Sequence, residues 1–276
     1  MPLSSPPAAQ APPELLDRPD GARLAYRRHV GDPGKTGFVW LGGFRSDMEG
    51  GKALAFDAWA RAQGRPFVRF DYLGHGASSG DFADGTIGRW RDDALAVIDE
   101  LTEGPQVLVG SSMGGWIALL SALARAERIA GLLLIAPAPD FTERLMWRSF
   151  PDDVRATILE KGVHHLPSDY GFEPTPITRA LIEDGRRHLL YDAETIPIRA
   201  PVKIVQGLED PDVPWRHALE LVARLESTDV EFIRVEGGDH RLSTEPDLAR
   251  LVRVAEALAA LVDPAPNDDG GAAPKS

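Results

Sequence analysis

The 276-residue chain contains no cysteine. That removes disulfides, thiolate nucleophiles and thiolate metal sites together, and it fits a reducing compartment. Long apolar runs are missing as well. The longest, such as Leu132-Leu133-Leu134-Ile135-Ala136, are strand-sized, far short of the roughly 18 residues that span a bilayer, so no stable membrane insertion is expected. Positive charge is in deficit: 30 Lys and Arg face 42 Asp and Glu, a net charge of −12. Such a surface repels phosphate backbones, which argues against a nucleic-acid partner. A glycine-rich phosphate loop is also missing. Gly74-His75-Gly76 is followed by no Gly-Lys-Ser/Thr, and no dinucleotide fingerprint occurs. The pair His164-His165 has no cysteine or carboxylate at ligand spacing, so no metal site is expected there.

What is present is a chain with 43% hydrophobic residues, enough for a sizeable core, and a regular alternation of short apolar runs with amphipathic stretches. Residues 1–13 carry five prolines and an uncharged start and read as a tail with neither a secretory signal nor an arginine-bearing leader. A cytoplasmic location is the corresponding expectation. Polar and apolar residues alternate from Arg18 to Val30 around Asp20-Gly21, a hairpin signal. Strands are expected at 38–41, 66–70, 106–110, 129–136, 202–206 and 230–235. Helices are expected at 52–63, 86–101, 116–125, 215–225 and 245–262. This order implies an α/β domain over 14–262, with a mostly parallel sheet covered by helices on both faces. Residues 141–199 break the rhythm with aromatics, prolines and no clear strand. They read as an inserted helical lid above the carboxyl edge of the sheet, where ligands bind in such folds. Residues 263–276, rich in Pro, Gly and Asp, read as a second tail.

The chemistry centres on Gly110-Ser111-Ser112-Met113-Gly114. It lies between an expected strand and an expected helix, the context in which Gly-x-Ser-x-Gly forms a nucleophile elbow. Of the two serines in this stretch, Ser112 has glycine two residues away on each side, whereas Ser111 has Val109 and Met113 there. A serine hydroxyl needs a base to act as a nucleophile near neutral pH. Of the seven histidines, His217 and His240 follow strand 202–206. His217 falls inside an expected helix, so His240, in Gly237-Gly238-Asp239-His240, is the candidate base. The acid belongs in Glu209-Asp210-Pro211-Asp212. Asp210 has the favoured register, with Asp212 and Glu209 as alternatives, and its role would be to hold the imidazole tautomer. The oxyanion donors would be the backbone N–H groups of Met113 and of Phe44, on a loop opened by Gly42-Gly43. Asp71 is expected to brace the loop below the site. Trp116 is placed equally in a pocket wall or in the core.

With Ser112, Asp210 and His240 in this order, the chain resembles the α/β-hydrolase superfamily from about residue 20 to 260. Three stretches, Gly43 to Ala53, Arg69-Phe70-Asp71-Tyr72 and Gly104 to Trp116, are similar to a narrower group. This group comprises the mitochondrial acyl-protein thioesterases that also act as acyl-glucuronide esterases, and their bacterial relatives. The resemblance implies a small lid and a cofactor-free serine hydrolase. Its substrate would be a small-molecule ester or acyl thioester with a bulky or fatty acyl group, an acylated protein included. Two alternatives stand beside it: a non-catalytic binding protein on the same scaffold, and a hydrolase of peptide or C–C bonds. Composition gives no oligomeric state.

Overall fold

A computed structural model describes residues 11–167 and 174–264. The expected tails at 1–13 and 263–276 lie outside these residues, apart from 11–13, 263 and 264. Ten strands occur among the described residues: β1 (Glu14–Asp17), β2 (Arg23–His29), β3 (Gly37–Leu41), β4 (Phe67–Phe70), β5 (Gln106–Ser111), β6 (Ile129–Ile135), β7 (Val163–Leu166), β8 (Thr175–Thr178), β9 (Val202–Gly207) and β10 (Val230–Val235). Eight of them form one sheet in the order β1-β2-β4-β3-β5-β6-β9-β10. The β1–β2 hairpin turns at Asp20-Gly21, with Gly21 at φ 86, and joins the sheet antiparallel through β4. The six strands from β4 to β10 run parallel. Such strands are buried on both faces, which is why β3, β5 and most of β6 are continuous apolar runs rather than alternating ones.

Seven α-helices complete the described residues: α1 (Gly51–Ala62), α2 (Ile87–Leu101), α3 (Met113–Ala124), α4 (Asp152–Lys161), α5 (Arg179–Gly185), α6 (Trp215–Val222) and α7 (Glu245–Val262). Trp90 and Val97 of α2 pack with Trp116 and Ile117 of α3 and Leu221 of α6 on one face. Phe56 and Trp59 of α1 pack with Leu251 and Leu258 of α7 on the other. The ends follow local chemistry. The Thr86 and Thr244 hydroxyls accept the N–H groups of Arg89 and Asp247, and such caps hold a first turn that has no backbone partners. The sequence places the start of α3 at residue 116. The structure begins it at Met113, because Gly114 and Gly115 allow the helix to press against its neighbours from its first turn. Asp263, assigned by sequence to a tail, accepts both guanidinium nitrogens of Arg65 at 2.7 Å and the Thr36 N–H at 3.0 Å.

The insertion differs from the sequence expectation in one respect. After a π-helical turn (Thr142–Trp147) and α4, the backbone reverses at Gly162, with φ 82, into β7, which pairs antiparallel with β8. The lid is therefore helices plus a two-stranded sheet. The expectation of no strand failed because the two strands have only four residues each, one of them with a proline at Pro176, too short to show a period. Phe150, Ile158, Ile177 and Ile182 form the lid's own core, and Phe44 and Met146 pack against it. The residue before the insertion ties back to a point near its far end. Asp140, fully buried at φ 58, accepts the N–H groups of Leu190 and Tyr191, each at 2.8 Å. Lower down, Tyr191 Oη–H donates to the His217 carbonyl at 2.7 Å and His217 Nε2 bonds the Pro139 carbonyl at 2.7 Å.

Removing a carboxylate that satisfies two buried donors leaves both unpaired, at a cost of about 1–3 kcal/mol. Asp140→Ala is expected to lower the denaturation midpoint accordingly and to speed proteolysis within 141–189. Unchanged cleavage would show that the lid does not depend on this neck.

Candidate active site

The site is built where β5 ends. Ser112 has φ 54 and ψ −118, a region that a side chain occupies only at a cost of about 1–3 kcal/mol. Three backbone hydrogen bonds hold it there: Ser112 N–H to the Ile135 carbonyl at 2.9 Å, and the Ser112 carbonyl to the N–H groups of Gly115 at 2.9 Å and Ala138 at 3.1 Å. The flanking glycines are steric requirements. A Cβ on Gly114 would overlap the Leu41 carbonyl oxygen, and one on Gly110 would overlap the Gly114 carbonyl oxygen. Side chains at these two positions would therefore push β3, β5 and α3 apart.

Three of the predicted site residues meet above this turn. His240 Nε2 lies 3.0 Å from Ser112 Oγ, and His240 Nδ1 lies 2.7 Å from Asp210 Oδ2. A carboxylate only accepts, so Nδ1 carries the imidazole proton and Nε2 is the acceptor for the serine hydroxyl. The Asp210 side chain is fully buried and the His240 side chain is 21% exposed. Asp210 is held from several sides. Oδ1 accepts the N–H groups of Asp212 at 2.9 Å and Val213 at 2.8 Å, and Oδ2 accepts Gln206 Nε2 at 3.1 Å. Asp212 and Glu209, the alternatives from sequence, are exposed. Asp210, Asp212 and His240 offer atoms within 4.8 Å of one another, a metal-type grouping. The atoms of Asp210 and His240 in it already bond each other.

The loop carrying His240 crosses close to β9. A Cβ on Gly207 would overlap the Gly238 carbonyl oxygen, and Glu209 N–H donates to that same carbonyl at 3.0 Å. Lys52 Nζ donates to the Arg241 carbonyl, tying α1 to the residue after His240. Burial pushes the Lys52 ammonium down to about 8, against the opposing pull of Asp239 and Asp247. Sequence reasoning missed Lys52. Its only trace was its position in the Gly43 to Ala53 stretch.

The loop after β3 lies alongside the elbow. A Cβ on Gly43 would stand 3.5 Å from Ser112 Cβ and 3.4 Å from the Ser111 carbonyl oxygen, which brings the next residue, Phe44, to the serine. Asp71 braces its own loop as expected, accepting Ala77 N–H at 2.8 Å, and it also ties in the loop after β3 by accepting Met48 N–H at 2.7 Å. The Phe44 ring meets Phe82 at 4.9 Å and Phe141 at 5.5 Å. Trp116 is fully buried and donates to the His188 carbonyl at 3.2 Å, so it packs beneath the lid. His164 lies on β7 and pairs with Ile177 across the lid hairpin. Chemically, the arrangement offers a hydroxyl beside an imidazole acceptor, with a fixed carboxylate behind it.

Comparison with known proteins identifies the family and the fold. A family model described as "Alpha/beta hydrolase family" matches residues 33–257. The chain is 36% identical over 245 residues, 88% of its length, to the palmitoyl-protein thioesterase ABHD10, mitochondrial, of Homo sapiens, of which the match covers 79%. A crystal structure of a putative hydrolase from Agrobacterium vitis S4 superposes with a TM-score of 0.85 at 42% identity, over 90% of this chain and 100% of that one. The alpha/beta hydrolase domain-containing protein 10 from mouse gives a TM-score of 0.82 at 36% identity, over 91% and 99%.

Two measurements check this description. Gly114→Ala is expected to destabilise the fold by about 1–3 kcal/mol, as overpacking does, and denaturant titration reads the shift. For Lys52, the folded chain releases its proton near pH 8 and the unfolded chain near 10.5. Between these values the unfolded state holds more protons, so stability rises with pH across the window. Lys52→Met is expected to remove that rise from a denaturation series run from pH 8 to 10.5.

Proposed function

The chain belongs to the alpha/beta hydrolase family, and on that footing we propose that it is a serine hydrolase of carboxylic esters or acyl thioesters acting through an acyl-enzyme on Ser112. One observation carries the reading: the continuous hydrogen-bonded line from Ser112 Oγ through His240 to the buried Asp210. His240 Nε2 takes the serine proton as Oγ attacks the acyl carbonyl. The tetrahedral oxyanion is met by the N–H groups of Met113 and Phe44, one at the start of α3 and one on the loop beside the elbow. Protonated His240 then gives its proton to the departing alcohol or thiol. A water deprotonated by the same imidazole hydrolyses the ester on Ser112. Asp210 keeps the imidazole in the required tautomer and stabilises its charged form.

The name of the relatives, palmitoyl-protein thioesterase, supports a long acyl chain on sulfur as one substrate class. Beside the elbow, Phe44 packs with Phe141 and Met146 of the insertion, apolar side chains of the kind that would contact such an acyl group. No helix among the described residues is long and apolar enough to cross a membrane. The cytoplasmic location expected from composition stands beside relatives named as mitochondrial, and subcellular fractionation distinguishes the two.

Purified protein is expected to be labelled by a fluorophosphonate probe, and Ser112→Ala to abolish the labelling. Labelling that persists in that variant would remove Ser112 as nucleophile. Asp210→Asn is expected to cut turnover of ester substrates by about 10⁴, the scale seen when a triad loses its carboxylate. Near-normal turnover would move the acid elsewhere. A panel of esters and thioesters of graded chain length reads the acyl preference.

A further inference from the structure

We infer that His75 is a positioning residue for the oxyanion loop: its uncharged ring accepts the backbone N–H of Arg45 and locks the turn that presents Phe44 N–H. The inference rests on the hydrolase reading given above.

The turn is Gly43-Phe44-Arg45-Ser46, closed by Ser46 N–H on the Gly43 carbonyl at 3.1 Å, with the Ser46 hydroxyl donating to the same oxygen at 2.6 Å. Its third residue, Arg45, sits at φ 59. A left-handed third residue is the mark of a type II turn, which favours glycine there. Arginine is poorly suited to it. Rotating the Phe44–Arg45 peptide by half a turn would convert the loop to type I, which all side chains tolerate. That rotation would turn the Arg45 N–H and the Phe44 carbonyl to the opposite sides, beside the N–H proposed to meet the oxyanion. Something must hold the strained form, and Arg45 N–H donates to His75 Nε2 at 3.2 Å.

The ring is built for accepting. His75 is 4% exposed and walled by Tyr72, Phe82 and Trp90, with ring centroids 5.6, 5.1 and 5.2 Å away. Its Nδ1–H donates to the Leu73 carbonyl at 3.2 Å, which leaves Nε2 unprotonated. Burial pushes its pKa down to about 4, and the nearby Arg45 guanidinium adds to the effect. The loop holding His75 is itself fixed. Asp93 accepts Leu73 N–H at 2.9 Å, and Trp90 Nε1–H donates to the Leu73 carbonyl at 3.1 Å. With Asp71 bonded to Met48 N–H, the loop after β4 grips the oxyanion loop at two points three residues apart.

The test compares His75→Leu and His75→Gln with the parent on a p-nitrophenyl ester, together with nitrogen NMR of the imidazole. A glutamine oxygen reaches the place of Nε2 and accepts; leucine does not. Mispositioning a donor that acts in the transition state lowers kcat and spares KM. His75→Leu is therefore expected to lose about 10- to 100-fold in kcat, below the full cost of losing an oxyanion donor. KM should stay within about two-fold, and His75→Gln should recover most of the loss. The parent's spectrum should show His75 with its proton on Nδ1 from pH 5 to 9. Parent-like kcat in His75→Leu would overturn the inference. So would a His75→Gln variant as slow as His75→Leu despite a parent-like thermal midpoint, or a proton on Nε2. An inert parent with Ser112 unlabelled would remove the hydrolase reading and this inference with it. An active parent with an indifferent His75→Leu removes the inference alone.

Discussion

The whole arrangement depends on how closely three backbone segments pass at the end of β5. The first turn of α3 lies against the carbonyls of Leu41 and Gly42 with no room for a Cβ at Gly114. That contact sets the distance between the elbow and the loop after β3. It therefore sets where Phe44 stands relative to Ser112. The strain at Ser112 follows from the same geometry: a chain leaving a strand and entering a helix within one residue has no relaxed φ available to it. The cost is met by hydrogen bonds to β6 and the segment after it, and by a core in which Trp90, Trp116 and Ile117 are fully buried.

Around that point the protein supports each site element from a different part of the fold. The proposed acid is held by its own loop and by Gln206. The loop carrying His240 is held by β9 and α1, and the loop after β3 by the segment after β4. Most of these supports pair a backbone amide or carbonyl with a side chain, as at Asp210, Lys52 and His75, a kind of contact that fixes position without taking part in chemistry. The lid joins this frame through Phe44, whose ring touches both the main core and the lid's small core.

Much of this was legible in the sequence because it rests on local rules. The central parallel strands β3, β5 and β6 announced themselves as apolar runs with glycine or proline at or just past their ends. Ser112 was marked by its two glycines between an expected strand and an expected helix, His240 by its place after the last strand, and Asp210 by its register behind Gly207. What escaped was non-local or too short to show a pattern. The β7–β8 hairpin is four residues a side. Lys52 and His75 act on backbone atoms 189 and 30 positions away, and no motif encodes a carbonyl across the fold. Gly74-His75-Gly76 was conspicuous in the sequence, yet its partner, the amide of Arg45, became visible only in three dimensions. The tie between Arg65 and Asp263 was hidden in the same way, at a boundary where composition alone suggested the fold had ended.

The neck at Asp140 has a consequence for how such proteins diversify. Some fifty residues leave and re-enter the scaffold at one carboxylate, so the insertion behaves as a cassette. Phe141, Leu181 and Leu190 of this segment also sit in the main core and Asp184 accepts the Gly88 N–H, so the changes it tolerates are those that leave these contacts in place. New surfaces above Ser112 can then arise by exchange within this segment while the residues beneath it keep their places.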